Sequence, residues 1–147
     1  MVHAATSPVL PKVHHIRLYS RILLVEDDPF QGFVIARHLA RHDGLWVEVE
    51  HSAAEAARRI TTESWDLVIC DIRLGERDGA ELASTPGAPP FLIISGDLSA
   101  VADVRQNRPP NVVAALEKPL NLARLMQRVV AACRVDRGVD TLNWRHM

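Results

Sequence analysis

Polar residues stand at the ends of short apolar segments in this sequence of 147 residues. Glu26 and Asp27 follow one segment, Asp71 and Ser95 each follow another, and Lys118 comes just beyond a fourth. Three carboxylates held close together repel one another unless a cation lies among them. Oxygen ligands of this kind suit Mg²⁺, which binds carboxylates together with phosphate oxygens. An ionised Asp71 needs no separate base to attack phosphorus, and Lys118 and Ser95 can contact the phosphoryl oxygens. The residue set therefore indicates phosphoryl transfer to a carboxylate.

The segments between these positions decide whether the polar side chains can meet. Continuous apolar runs are typical of strands buried on both faces of a parallel sheet. Such runs, with one alternating segment, predict strands at 21–25, 45–49, 67–70, 91–94 and 112–116. Helical patterns lie between and after them, at about 29–40, 52–60, 80–84, 99–107 and 122–133.

Capping residues support these helices. Asp28 before Pro29 predicts the start of the first helix, and Ser52 begins a capping-box sequence at the second. Ser99 is the predicted cap of the helix that ends near Asn107. The last helix carries apolar residues at helical spacing: Leu122, Leu125, Met126, Val129, Val130 and Cys133.

The order of elements predicts an α/β fold. We expect a doubly wound, five-stranded parallel sheet of the flavodoxin-like order 2-1-3-4-5. Pro86, Pro89 and Pro90 leave room for only a shortened helix 3. In such sheets the ligand site lies beyond the carboxyl ends of the strands, near strands 1 and 3. The polar residues fall at this edge.

Composition limits the other functional classes. The formal net charge is −1, with 17 basic and 18 acidic residues, which favours no general nucleic-acid or membrane surface. No apolar run approaches the ~20 residues of a membrane span. Cys70 and Cys133 are expected to be buried free thiols in a reducing cytoplasm. The spacing of His3, His14 and His15 fits no compact metal motif and indicates a mobile tail.

The motifs together resemble those of response regulator receiver domains. The resemblance runs over about residues 21–133 and leaves 1–20 and 134–147 as tails. Its motifs, in chain order, are Glu26-Asp27, Asp71, Asp78-Gly79, Ser95-Gly96 and Lys118-Pro119. Each motif is weak alone, because an acidic strand end, a Lys-Pro or an Asp-Gly is common in turns. Their order on the predicted strands makes the set specific.

The resemblance implies a role for each site residue. Asp71 would be the phosphoacceptor, and Asp27 and Asp71 would bind Mg²⁺ directly. Glu26 would act through water, and the backbone carbonyl of Arg73 would complete the protein ligands. Ser95 and Lys118 would contact the phosphoryl group, whereas Asp28 is a helix cap. Such a domain catalyses its own phosphorylation and dephosphorylation and is otherwise no enzyme.

The sequence departs from the family at three positions. Ala115 stands where an aromatic residue usually swings with the hydroxyl after strand 4. The short segment before Phe91 is similar to a subgroup of stand-alone receivers that work with HWE-type histidine kinases. Asp97 takes the place of an aromatic residue of that subgroup and is hypothesised to tune access to the phosphoryl group.

The expected partners follow from the resemblance. They are a histidine kinase or phosphotransfer protein as donor and an unknown downstream protein, or a further step of a phosphorelay. The 14 residues after Cys133 are too few for a DNA-binding domain, so no direct DNA contact is expected. The charge balance and the lack of a long apolar run predict no membrane contact. A monomer or a weak homodimer is predicted, located in the cytoplasm.

Two other functions fit part of the pattern. A phosphatase of the haloacid dehalogenase type also has an Asp after a buried strand, but it needs a second Asp where this chain has Arg73. A pseudo-receiver, which has the same fold and binds a partner without being phosphorylated, is favoured by Ala115 and the short third helix. The complete set of polar site residues argues against it.

Overall fold

The computed structural model describes residues 19–75 and 77–136 of the chain. Of the two predicted tails, residues 1–18 and 137–147 lie outside the described residues, as do His3, His14 and His15. Ser20 already belongs to the first strand, and the last helix continues to Asp136.

The main sheet has five parallel strands. They are β1 (Ser20–Val25), β2 (Leu45–Glu50), β3 (Leu67–Asp71), β6 (Phe91–Ser95) and β7 (Val112–Glu117). Their spatial order is β2-β1-β3-β6-β7, so the predicted flavodoxin-like order is confirmed. The remaining two strands, β4 (Arg73–Leu74) and β5 (Arg77–Asp78), form an antiparallel ribbon between β3 and β6. This ribbon was not predicted, because strands of only two residues carry no recognisable sequence pattern.

In the described part of the chain, four α-helices cover the sheet. They are α1 (Pro29–Leu39), α2 (Ala53–Thr62), α3 (Leu98–Asn107) and α4 (Leu122–Asp136). The shortened helix 3 is a 3₁₀ helix, Gly79–Ser84, because the ribbon takes up the residues before it and Pro86 follows it. Asp28 and Ser52 cap α1 and α2, as predicted.

The predicted cap of α3 was wrong. Asp97, not Ser99, caps this helix: its carboxylate accepts hydrogen bonds from the backbone N–H groups of Ser99 and Ala100. The acidic side chain lies two residues earlier and can reach two of the four N–H groups that have no partner within the helix. Ser99 therefore falls inside the helix, and its hydroxyl donates to Asp97.

Alternate side chains of the strands pack into two separate cores. Leu23 and Val25 face one core, formed with α2, the 3₁₀ helix and α3, whereas Ile22 and Leu24 face the other, formed with α1 and α4. Each fully buried aliphatic side chain contributes about 1.5–3 kcal/mol. The two free cysteines, Cys70 and Cys133, are both buried, as predicted, and lie on opposite faces of the sheet.

Arg59 of α2 organises an ion-pair network at one edge of the sheet. Its guanidinium contacts Glu48 at 2.6 Å, Glu50 at 3.1 Å and Glu63 at 2.8 Å. The same group lies 4.9 Å from the ring of the buried Trp65, above which Arg21 lies at 4.3 Å. The side chain of Arg59 is only 13% exposed, so its pairs are less screened by solvent than ordinary surface pairs.

We expect Arg59→Gln to lower the free energy of unfolding by about 2 kcal/mol, because Glu50 loses its described ion-pair partner and Glu48 and Glu63 keep only Arg21 as theirs. Hydrogen bonds from Arg59 lower the pKa of Glu48 and of Glu63 below the ordinary value of 4.5. Depressed pKa values stabilise the fold above that value, and the contribution is lost as the pH falls through the lowered pKa. The difference between wild type and variant should therefore be largest at neutral pH and shrink as the pH falls below 4.5 through the lowered pKa values, as measured by urea unfolding.

Arg58→Gln is the matched control. Arg58 pairs only with Glu55 among its described contacts, and both side chains are more than half exposed. Its substitution should change the stability by less than about 0.5 kcal/mol at every pH. Equal losses in the two variants would show that burial of the Arg59 network has no special effect.

Candidate functional site

Three carboxylates converge at the carboxyl edge of the sheet. Glu26 and Asp27 follow β1, and Asp71 ends the neighbouring strand β3. The register aligns Val25 with Cys70, so the residues that follow emerge side by side. One oxygen from each of the three carboxylates lies within 4.8 Å of the other two. Glu26 and Asp71 are buried, whereas Asp27 is exposed to solvent.

Lys118 brings a positive charge into this cluster. Its Nζ donates to Glu26 Oε1 and to Asp71 Oδ2, each at 2.6 Å, and to Gln31 Oε1 at 2.8 Å. The backbone N–H of Lys118 also donates to the Ser95 carbonyl at 2.8 Å, which holds this segment against the end of β6. Sequence reasoning missed Gln31, since a glutamine in the first turn of a helix gives no separate signal.

The environment changes the pKa of both partners in this contact. Burial raises the pKa of Glu26, although the hydrogen bond from Lys118 opposes the shift. For Lys118, burial disfavours the ammonium, but hydrogen bonds to Asp71 and Glu26 outweigh it and raise the pKa. Lys118 is therefore charged at neutral pH and partly compensates the carboxylates.

The backbone around Asp71 is packed closely. The Arg73 N–H donates to Asp71 Oδ1 at 3.0 Å. The Cys70 thiol donates to the Asp71 carbonyl at 3.3 Å, and burial raises the pKa of that thiol so that it remains protonated. At Gly79, an added Cβ would overlap the Asp71 carbonyl oxygen and lie 2.8 Å from Cys70 Sγ. The backbone of Gly79 can therefore lie against the backbone of Asp71 only because Gly79 has no side chain. Asp78-Gly79 was interpreted from the sequence as a turn, and the structure adds this packing role.

The two other aspartates of the first loop have different surroundings. Asp27 Oδ2 accepts a hydrogen bond from the N–H of Gly75, at the tip of the ribbon, at 3.2 Å. Asp28 caps α1, as expected, by accepting from Phe30 N at 2.9 Å and Gln31 N at 3.3 Å. Hydrogen bonds from these backbone groups lower the pKa of Asp28.

Ser95 ends β6 beside Asp71. The register pairs Asp71 with Ile94, the residue before Ser95. The Ser95 side chain is buried, and its hydroxyl accepts a hydrogen bond from Asp97 N at 3.1 Å. The structure therefore places Ser95 at the same edge as the carboxylates, with its hydroxyl engaged by the following loop.

The donor set fits a hard divalent cation. All three acidic side chains offer oxygen ligands, and they outnumber the single ammonium of Lys118 in the contacts described above. A cation that binds oxygen would reduce the remaining repulsion, and Mg²⁺ and Ca²⁺ both have this preference. The cluster can therefore hold a metal and, next to it, an anionic group.

Fold and site together define a flavodoxin-like α/β domain with a lysine-paired acidic cluster at its carboxyl edge. A family model described as the response regulator receiver domain matches residues 22–130. Since this match covers most of the chain, the protein belongs to the response regulator receiver domain family.

Two curated relatives illustrate the sequence similarity. Transcriptional regulatory protein GlrR of Escherichia coli (strain K12) is 31% identical over 133 residues, covering 86% of this chain and 29% of that protein. Regulatory protein VirG of Agrobacterium tumefaciens (strain 15955) is 27% identical over 121 residues, covering 80% of this chain and 45% of that protein. The chain thus spans less than half the length of each relative.

Solved structures show the same fold. The signal receiver domain of a putative Luxo repressor protein from Vibrio parahaemolyticus aligns with a TM-score of 0.73 at 20% identity, covering 85% of this chain and 98% of that domain. A CheY-like response regulator receiver domain protein from Methanospirillum hungatei JF-1 aligns with a TM-score of 0.69 at 24% identity, covering 82% and 98%. Within the described part of the chain, no helix has the length and apolar character needed to cross a membrane.

We expect Gly79→Ala to disturb the Asp71 backbone, because the new Cβ has no space beside the Asp71 carbonyl. The loss of unfolding free energy should be about 3 kcal/mol or more. Gly87→Ala is the control: Gly87 has a φ of 77° and no neighbour that a Cβ would meet, so only backbone strain of about 1 kcal/mol is expected. Urea unfolding of the two variants measures the difference, and a loss at Gly79 no larger than that at Gly87 would contradict the close approach.

Proposed function

We propose that this receiver accepts a phosphoryl group on Asp71 from a histidine kinase or a phosphotransfer protein, in a reaction that requires Mg²⁺. The observation that supports this most is the position of the Asp71 carboxylate. It lies within the acidic cluster, 2.6 Å from the Lys118 ammonium. A nucleophile, a set of metal ligands and a phosphate-binding cation are thus adjacent.

The transfer can be written with the residues of this chain. An Asp71 oxygen forms a bond to phosphorus while the bond between phosphorus and the donor's histidine nitrogen breaks, and the electron pair stays on that nitrogen. Glu26, Asp27, Asp71 and the Arg73 carbonyl are the proposed holders of Mg²⁺. When bound, the metal would neutralise the phosphoryl oxygens and hold them in line with the attacking carboxylate.

Lys118 and Ser95 are proposed to contact the phosphoryl group. The Lys118 ammonium already touches Asp71 Oδ2 and needs only a short movement to reach oxygens attached to that carboxylate. The Ser95 hydroxyl accepts from Asp97 N, so this contact leaves its own proton available to donate to the new group. No proton has to be removed from the nucleophile, since an ionised carboxylate attacks directly.

A groove beside the site supports a protein donor. Its volume is about 480 Å³, and it shares Gln31 and Lys118 with the acidic cluster. The apolar part of the lining includes Phe30 and Val34 of α1, and Phe30 is 74% exposed. A protein that delivers a phosphoryl group to Asp71 from this side must cover this groove, which makes it the proposed docking face for the donor.

Four further expectations from the sequence stay predictions. These are a stand-alone receiver, a partner of the HWE type, a cytoplasmic location and a monomer or weak homodimer. The relatives GlrR and VirG are named regulatory proteins, and the matched part is 29% and 45% of their lengths. We propose that the phosphorylated receiver acts by contact with a downstream protein or passes the phosphoryl group onward.

We expect incubation with acetyl phosphate to add one phosphoryl group to the full chain when Mg²⁺ is present. The phosphorus–oxygen bond of the donor breaks, and acetate leaves. Intact mass spectrometry should show the adduct in the wild type, and show none in Asp71→Asn or in the presence of excess chelator. Asp28→Asn is the matched control. Asp28 caps α1 outside the cluster, and Asn keeps the cap, so this variant should be modified like the wild type.

Rapid hydrolysis would hide the adduct, so beryllofluoride binding is measured by ¹⁹F NMR in the same samples. A bound signal in wild type that Asp71→Asn lacks supports the phosphoacceptor role even without a stable adduct. If neither the adduct nor the bound signal forms, the phosphoacceptor proposal is wrong and the pseudo-receiver becomes the better account.

A further inference from the structure

The carboxylate of Asp97 makes two separate sets of contacts. Its Oδ1 accepts from the backbone N–H groups of Ser99 and Ala100, each at 3.1 Å, and from the Ser99 hydroxyl at 2.8 Å. Its Oδ2 forms an ion pair with the guanidinium of Arg73. One side chain therefore caps α3 and binds the loop that follows β3.

Both members of this pair are connected to the candidate site. The Arg73 N–H donates to Asp71 Oδ1, so the base of the Arg73 side chain is fixed beside the proposed phosphoacceptor. The Asp97 N–H donates to the Ser95 hydroxyl. The ion pair thus joins the segment that follows Asp71 at the end of β3 to the segment that follows Ser95 at the end of β6.

We propose that the Arg73–Asp97 ion pair is a latch that reports phosphorylation of Asp71 to helix α3. This inference rests on the proposed function. In the unmodified protein the latch is closed and holds the first turn of α3 against the ribbon. When Asp71 is phosphorylated, the Arg73 guanidinium leaves Asp97 for the phosphoryl oxygens, and the first turn of α3 loosens.

Charge and geometry favour this exchange of partners. A phosphoryl group carries more negative charge than one carboxylate and offers more oxygens to a guanidinium, which binds such groups in a bidentate manner. The Arg73 side chain is 69% exposed, so no packing has to be broken when it moves. Of the other nearby charges, Lys118 holds Asp71 and Glu26, and Asp78 accepts from Ala80 N at 2.8 Å.

The contacts of α3 make its first turn a suitable place for phosphorylation of Asp71 to change the structure. Near its other end, Arg105 donates to the Ala115 carbonyl through Nη2 at 2.8 Å and through Nε at 3.2 Å. Polar contacts therefore hold α3 at both ends, and the one at Asp97 is adjacent to the site. Because Ala115 has no ring that could move, a change at the first turn offers a different route for the signal.

Hydrogen–deuterium exchange of the full chain tests the latch. The samples are wild type, Arg73→Gln and Asp97→Asn, each with and without Mg²⁺ and beryllofluoride. Asp97→Asn removes the charge but keeps a residue that caps helices well. We expect the amides of residues 98–101 to exchange about three-fold faster in both variants than in wild type without ligand. Beryllofluoride should produce a similar increase in wild type and little further increase in the variants.

Arg58→Gln is the control, because Arg58 pairs with Glu55 on α2 and should leave exchange at 98–101 unchanged. If neither latch variant exchanges faster than wild type in the absence of ligand, the latch is overturned whatever happens at Asp71. If ¹⁹F NMR shows bound beryllofluoride but wild-type exchange at 98–101 stays equal or slows, the coupling to α3 is overturned while the phosphoacceptor role stands. Absence of both bound beryllofluoride and the acetyl phosphate adduct overturns the proposed function and, with it, the reporting role.

Discussion

Repulsion among three carboxylates is the constraint on which the site depends. Glu26, Asp27 and Asp71 place oxygens within 4.8 Å of one another, and burial of Glu26 increases the energy of holding it charged. Lys118 compensates part of this charge by bridging Glu26 and Asp71. The fold tolerates the arrangement because β1 and β3 are buried on both faces and supply stability independently of the site. The remaining negative charge makes the edge receptive to a metal.

The packing against the Asp71 backbone constrains the site as closely as the charges around its side chain do. Gly79 approaches the Asp71 backbone more closely than any side chain would allow, and the buried Cys70 thiol donates to the same carbonyl. The ribbon of β4 and β5 replaces a longer helix here, and it places Arg73 and Gly75 next to the acidic cluster. The short segment between β3 and β6 therefore contributes contacts to the site as well as connecting the two strands.

The loop after β6 connects this site to the rest of the molecule. Asp97 contacts α3, the ribbon and the Ser95 hydroxyl at once, while Arg105 ties α3 to the carbonyl of Ala115. Hydrogen bonds and an ion pair thus hold α3 at both ends. Such contacts exchange partners readily when a stronger anion arrives, since they lie near solvent and involve little packing.

Local patterns of residues were enough to predict the five strands of the main sheet, their order and the edge at which the polar residues gather. Apolar runs are local signals, and right-handed crossovers then leave few ways to arrange a parallel sheet. The caps at Asp28 and Ser52 were equally local. The sequence did not reveal that Gly79 abuts Asp71, that Asp97 caps α3 in place of Ser99, or that Arg73 reaches Asp97. The contacts of Gly79 and of Arg73 depend on the path of one segment relative to another, which no short-range pattern of residues encodes. The cap depends on the residue at which α3 begins, which a sequence pattern gives only to within one or two residues.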